Sequence, residues 1–184
     1  MDYPIIVVCG LPGTNKAATA DALQLGLLPQ PFERYGAGQN FRKHELSPAE
    51  GKHYDVMNTL RNGKGVILNG DYRTLERRKE IYVIASTLNT GVVLVENVCS
   101  ERMAKSRMKY EMAARGTPSA NGPSKNYKIA KRGWEDPALD LKLNPHVSLI
   151  KHDIETESVQ RVVVRDDAMD LVARIEKILA KTQK

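Results

Sequence analysis

Seven residues between an apolar run and an alanine-rich segment carry the most readable chemistry of this chain: Gly10-Leu11-Pro12-Gly13-Thr14-Asn15-Lys16. The apolar run Ile5–Cys9 stops at Gly10, and Ala17–Leu25 follows with helical composition. A strand, a glycine-bearing turn and a helix N-terminus in that order suit a phosphate group. Backbone N–H groups wrap the anion, the helix end adds partial positive charge, and a lysine reaches the terminal phosphates. The pattern for such a loop is G-x-x-x-x-G-K-[ST]. Gly10 and Lys16 fit it, whereas Asn15 stands where the second Gly belongs and Ala17 where the hydroxyl belongs.

The two departures differ in weight. Asn is the non-glycine residue that best tolerates the left-handed conformation, so Asn15 is expected to preserve the turn. Ala17 removes the hydroxyl that ligates Mg²⁺ in loops of this kind. Thr19, two positions on, carries a hydroxyl on a different side of the helix. An ordinary strand–turn–helix with a solvated Lys16 is the alternative. The loop's place near the N-terminus and its Leu-Pro-Gly-Thr filling favour the phosphate loop. The expected binding residues are Gly10, Pro12, Gly13, Thr14, Asn15, Lys16 and Ala17, with ATP as ligand and Mg²⁺ as an open question.

The elements that would position this loop alternate between strand and helix. Strands are expected at Tyr3–Cys9, Phe32–Tyr35, Val66–Asn69, Val92–Asn97 and Val147–His152, the fourth a continuous β-branched run of the parallel-sheet kind. Helices are expected at Ala17–Gly26, at Pro48–Arg61 behind the capping box Ser47-Pro48-Ala49-Glu50, and from Thr74 to about Leu88. Further helices run from Ser100 to about Arg115, weakly over Tyr127–Gly133, and over 167–182 with an apolar side. Residues 116–126, rich in Gly, Pro, Ser and Asn, read as a loop. This alternation predicts an α/β fold of three layers, a parallel sheet of about five strands with helices on both faces. Ligands of such sheets bind beyond the C-terminal strand ends, an edge that gathers Gly10–Lys16, Arg34–Gln39, Asn69–Arg73 and Asn97–Arg102.

A length of 184 residues suits one domain, taken as 1–184. No apolar run approaches the roughly 18 residues of a membrane span, and Met1-Asp2-Tyr3 lacks the basic start of a secretory signal, so a cytoplasmic protein away from membranes is expected. Cys9 and Cys99 read as small buried hydrophobes rather than a disulfide, and the four His show no metal-ligand spacing, so no metal ligand is assigned. The net charge of +6 is concentrated: residues 101–133 hold nine Lys and Arg against Glu101 and Glu111. A positive field of that kind favours phosphate, on a nucleotide or on nucleic acid; a solvated basic helix is the plainer reading.

Taken together, these segments resemble the polynucleotide-kinase-like branch of the P-loop kinases, with zeta toxins and the adenylate-kinase group as related folds. Val66-Ile67-Leu68-Asn69-Gly70-Asp71-Tyr72-Arg73-Thr74-Leu75-Glu76-Arg77-Arg78 is similar to the family pattern V-I-L-D-A-T-N-x-T-x-E-R-R. Val92–Cys99 with Glu101–Arg107 is similar to the fourth strand and the basic lid helix. Tyr127 with Trp134-Glu135-Asp136-Pro137 is similar to the run closing the lid, here about 101–137. The resemblance implies phosphoryl transfer from ATP to a hydroxyl of a nucleotide, a polynucleotide end or a small metabolite. It implies that Lys16 holds the β- and γ-phosphates, and that Arg107, with Arg102 or Arg115, neutralises the transferred group. The family's acidic residue at the third strand's end falls on Asn69, leaving Asp71 as its substitute, and the family's acceptor base after the second strand has no carboxylate counterpart in Arg34–Gln39. Loss of three such positions opens the other readings: a non-catalytic binder of nucleotide or nucleic acid, or a structural subunit with a protein partner. Arg77 and Arg78 are expected to be solvated helix charges. Arg73 is placed at the strand end for acceptor or phosphate, Tyr35 and Tyr72 either pack or stack on a base, and Trp134 anchors the lid.

Overall fold

The fold, taken from a computed structural model that describes residues 3–36, 48–116 and 122–181, is built around one sheet. For residues 48–52 and Arg115 only the backbone is described. In chain order the elements are β1 (Ile5–Gly10), α1 (Lys16–Gly26), β2 (Phe32–Gly36), α2 (Pro48–Arg61), β3 (Gly65–Asn69), α3 (Leu75–Thr87) and β4 (Val92–Val98). Then come α4 (Glu101–Arg115), α5 (Gly122–Arg132), a 3₁₀ turn (Pro137–Lys142), β5 (Val147–Asp153), β6 (Ser158–Val163), a second 3₁₀ turn (Asp166–Ala168) and α6 (Met169–Leu179).

The sheet has the order β2-β3-β1-β4-β5-β6. The first five strands are parallel and β6 returns antiparallel to β5. β1 lies in the middle and is buried at every position, which explains why its sequence is an unbroken apolar run instead of an alternating one. Ile5, Val7 and Cys9 face one layer, with Val56 of α2 and Ile81, Ile84 and Ala85 of α3. Ile6 and Val8 face the other, with Ala20 and Leu23 of α1 and Val172, Ile175 and Leu179 of α6. Burying each such side chain is worth about 1.5–3 kcal/mol, so β1 is the rigid post from which the loop after Gly10 projects. A third, smaller cluster joins Ala104 and Met108 of α4 to Tyr127 of α5, Leu11 and Cys99.

Three expectations are corrected. The sheet gains a sixth strand, β6, whose alternating Ser158–Val163 pattern is only half-buried at the sheet edge and so gives a weak sequence signal. Part of the expected 116–126 loop is the first turn of α5. Pro123 sits there without cost, because the N–H it lacks has no partner within a helix's first turn. Arg78 is a core residue: its side chain is wholly buried and paired to Asp140, with Nε 2.6 Å from Oδ2 and Nη2 3.1 Å from Oδ1. Nη1 of Arg78 also donates to the Tyr72 carbonyl, and the Tyr82 hydroxyl to Asp140 Oδ2. Tyr72 is itself in the core, which settles its packing role. Ser47, Ala37–Gln39, residues 117–121 and Thr182 lie outside the described residues.

Candidate phosphate-binding site

The loop between β1 and α1 owes its shape to positive φ angles and to neighbours that leave no room for side chains. Gly10 has φ +142° and Gly13 φ +81°. A Cβ at Gly10 would fall 2.5 Å from the Asn97 carbonyl oxygen and 2.6 Å from Thr14 Oγ1; one at Gly13 would enter the backbone of Ala104 in α4. Glycine is required at both. Asn15 holds φ 56° and ψ 31°, the left-handed conformation expected of a residue replacing glycine there. Thr14 Oγ1 donates to the Leu11 carbonyl at 2.8 Å.

Lys16 opens α1 and folds back over the loop. Its Nζ donates to the carbonyls of Gly10 and Leu11, both at 3.0 Å. Burial pulls its pKa below the ordinary lysine value, opposed by the fields of Asp71 and Glu111 and reinforced by that of Arg73. The ammonium is thus poorly solvated and held by neutral carbonyls, an arrangement from which a phosphate oxygen gains a strong charge-assisted bond. Ala17 beside it is exposed.

Asp71, from the segment after β3, shares this neighbourhood but is engaged. Arg73 Nε and Nη2 donate to its two oxygens at 2.6 and 2.9 Å, and Arg77 Nη1 donates to Oδ2 at 2.5 Å. Asn69 ends β3 beside Val8 of β1. Arg34 of β2 pairs with Asp21 of α1. The Tyr35 hydroxyl lies within hydrogen-bond distance of Glu33 Oε2, which accepts from it at 3.0 Å, and of Thr59 Oγ1 at 2.7 Å, so it is tied into packing between β2 and α2.

Of the three lid cations expected from sequence, Arg102 and Arg107 have described side chains, both on α4. Arg107 lies half-buried on α4, where its charge acts on the Cys99 thiol, and its Nη1 is buried without a hydrogen-bond partner. Arg102 is exposed, and its charge acts on Glu155 at the β5–β6 turn. Arg115 closes α4, and its side chain lies outside the described residues. Trp134 packs against the α2–α3 side of the core.

At the end of β4, Asn97 is expected from sequence only as part of the ligand-binding sheet edge, and Glu96 has no expected role. Asn97 pairs with Gly10 in the sheet register and is buried; its Nδ2 donates to the Thr14 carbonyl at 2.8 Å and to Thr19 Oγ1 at 2.7 Å. The strand therefore grips the loop from below at its start, its middle and its helix. Glu96, beside Cys9, is a buried carboxylate whose pKa burial raises; Lys151 Nζ lies 3.2 Å away, an ion pair without hydrogen-bond geometry. A single amide and a single carboxylate ending a β-branched run were the available signals.

Solved structures share this architecture. Kti12 of Chaetomium thermophilum in complex with ADP-AlF3 is 17% identical and has a TM-score of 0.61, over 97% of this chain and 96% of that one. The APS kinase CysC of Mycobacterium tuberculosis in complex with AMPPNP and APS is 14% identical with a TM-score of 0.54, over 95% and 98%. A gluconokinase of Sinorhizobium meliloti is 16% identical with a TM-score of 0.50, over 98% and 93%. No protein-family model and no curated protein matches the sequence. At these identities the likeness is one of fold, and the fold is that of the P-loop kinases.

Proposed function

We propose that this chain binds the polyphosphate of a nucleotide, ATP above all, in the Gly10–Lys16 loop. The observation that carries the reading is the loop itself. Positive-φ residues at Gly10, Gly13 and Asn15 lead into the N-terminus of α1, and the ammonium of the half-buried Lys16 is turned onto the loop carbonyls. Pro12, Thr14 and Ala17 complete the cradle. The orphaned Nη1 of Arg107 is the second support, a buried donor with its bond still to make. Two neighbours in fold hold ligands of this class, ADP-AlF3 in Kti12 and AMPPNP in the APS kinase.

Phosphoryl transfer to a hydroxyl acceptor is the second reading, supported by the kinase fold and by Arg107 on the lid. Against it stand the amide at position 69 and Asp71, whose oxygens already receive guanidinium protons. A binder within the polynucleotide-kinase-like branch, altered in its loop, accounts for these features better than an efficient kinase. The exposed basic surface of α4 and α5, with Tyr110 77% exposed, suits a polyanionic partner such as nucleic acid.

Calorimetric titration of ATP, ADP and adenosine tests the main reading. ATP and ADP should bind and adenosine should not. Lys16→Ala should remove a charge-assisted contact worth about 1.5–3 kcal/mol, weakening ATP by about 10- to 150-fold. ATP affinity unchanged by Lys16→Ala would overturn it.

A further inference from the structure

Phosphate loops of this fold ordinarily share their anion with Mg²⁺, held by the hydroxyl after the lysine and by a carboxylate on a neighbouring strand. The donors in this chain do not supply that set. Position 17 is alanine. Thr14 and Thr19 carry the hydroxyls of the loop and α1, and both are buried and engaged: Thr14 donates to the Leu11 carbonyl, and Thr19 accepts from Asn97. The strand-end position beside β1 is the amide Asn69. Asp71 has each carboxylate oxygen already bonded to an arginine, with Arg73 and Arg77 together outweighing its charge. Glu96 is turned to Lys151. Among the described residues, no group of three or more His, Cys, Asp and Glu could hold a metal ion.

We infer that this site takes nucleotide polyphosphate without a divalent cation, and that Arg73 supplies beside Lys16 the positive charge that Mg²⁺ otherwise brings. The inference rests on the polyphosphate reading above. Arg73 follows β3, which pairs in parallel with β1 up to Val8 and Asn69, so it leaves the same sheet edge as the Gly10–Lys16 loop; the charges of Arg73, Asp71 and the exposed Glu111 all act on Lys16. A hard cation bound by oxygen would have to displace a guanidinium from Asp71. A phosphate instead satisfies the guanidinium directly, exchanging the Asp71 carboxylate for its own oxygens in the same bidentate geometry.

The test is ATP titration of the full chain in EDTA and in excess MgCl2, with wild type, Lys16→Ala, Arg73→Ala and the double variant Ala17→Thr/Asn69→Asp. Wild-type affinity should agree within about twofold between the two buffers, and Arg73→Ala should weaken binding about tenfold or more in both. The double variant should bind about tenfold more tightly in MgCl2 than in EDTA, because the hydroxyl and carboxylate are restored. Thermal midpoints without nucleotide report whether each variant is folded. Wild-type binding tightened tenfold or more by Mg²⁺, about 1.4 kcal/mol, would overturn the inference. So would a folded double variant indifferent to the metal. Binding in EDTA that is insensitive to Lys16→Ala would instead strike the polyphosphate reading on which the inference stands.

Discussion

Asn97 Nδ2 bonds the Thr19 hydroxyl at 2.7 Å while also reaching the Thr14 carbonyl at 2.8 Å. One amide from β4 therefore joins the loop to the first turns of α1, in a site where no side-chain oxygen at position 17 can do so.

Replacing Asn97 by Ala should loosen the loop without disturbing the strand. Two hydrogen bonds are lost and the Thr14 carbonyl is left buried, a cost of about 1–3 kcal/mol. Hydrogen exchange at loop amides 11–16 should accelerate while the β1 and β4 amides stay protected. Thr19→Val, which removes one of the two bonds, should show a smaller effect. Uniform acceleration across β4 would mean that Asn97 supports the sheet and not the loop.

The buried pair Arg78–Asp140 ties α3 to the 3₁₀ turn Pro137–Lys142. Removing Asp140 leaves the Arg78 charge buried with only the Tyr72 carbonyl to accept from it, and takes the acceptor from the Tyr82 hydroxyl. Asp140→Ala should therefore cost about 3–5 kcal/mol, read from urea unfolding. Replacing both by apolar residues of similar size, Arg78→Met with Asp140→Leu, should cost clearly less than Asp140→Ala alone. If the double variant is the less stable of the two, the uncompensated-charge argument fails.

The layers were legible because each rests on a local signal. The unbroken apolar run of β1 reports burial on both faces. Thr74 and Ser100 announce the helices they cap, and their side chains accept from the N–H of Arg77 and of Met103. What escaped depends on partners distant in sequence. Arg78 sits in a charged stretch, Glu76-Arg77-Arg78-Lys79-Glu80, that looks solvated, and Asp140, which buries it, lies 62 residues on. Asn97 follows Glu96 at the end of an otherwise apolar run, and its meaning appears only when β4 lies beside β1. Asp71 was legible as a carboxylate near the loop, but its capture by Arg73 and Arg77 depends on the turn into α3. β6 is half-buried along an edge, where alternation is weak evidence.

His152 gives a pH-dependent prediction. It is 3% exposed in β5, and neither ring nitrogen has a hydrogen-bond partner. Burial lowers its pKa below 6.5, with Asp153 opposing. The folded state therefore holds a neutral ring while the unfolded chain takes up a proton as pH falls through 6.5. Stability contributed by the neutral ring is present above that pH and is lost progressively below it, at no more than about 1.4 kcal/mol per pH unit. Glu96 acts in the opposite sense: its raised pKa makes the folded state hold a proton more readily than the unfolded chain, so its contribution is lost as pH rises. The measurement is accordingly a difference between wild type and His152→Leu, followed by chemical unfolding from pH 7.5 to 5. At pH 7.5 the variant should be neutral or more stable by up to about 1 kcal/mol, since no hydrogen bond is given up. Below pH 6.5 its advantage should grow with each step of acid. A variant less stable by more than about 2 kcal/mol at pH 7.5 would show that the ring is bonded after all. A difference flat with pH would show that His152 titrates alike in the folded and unfolded chains.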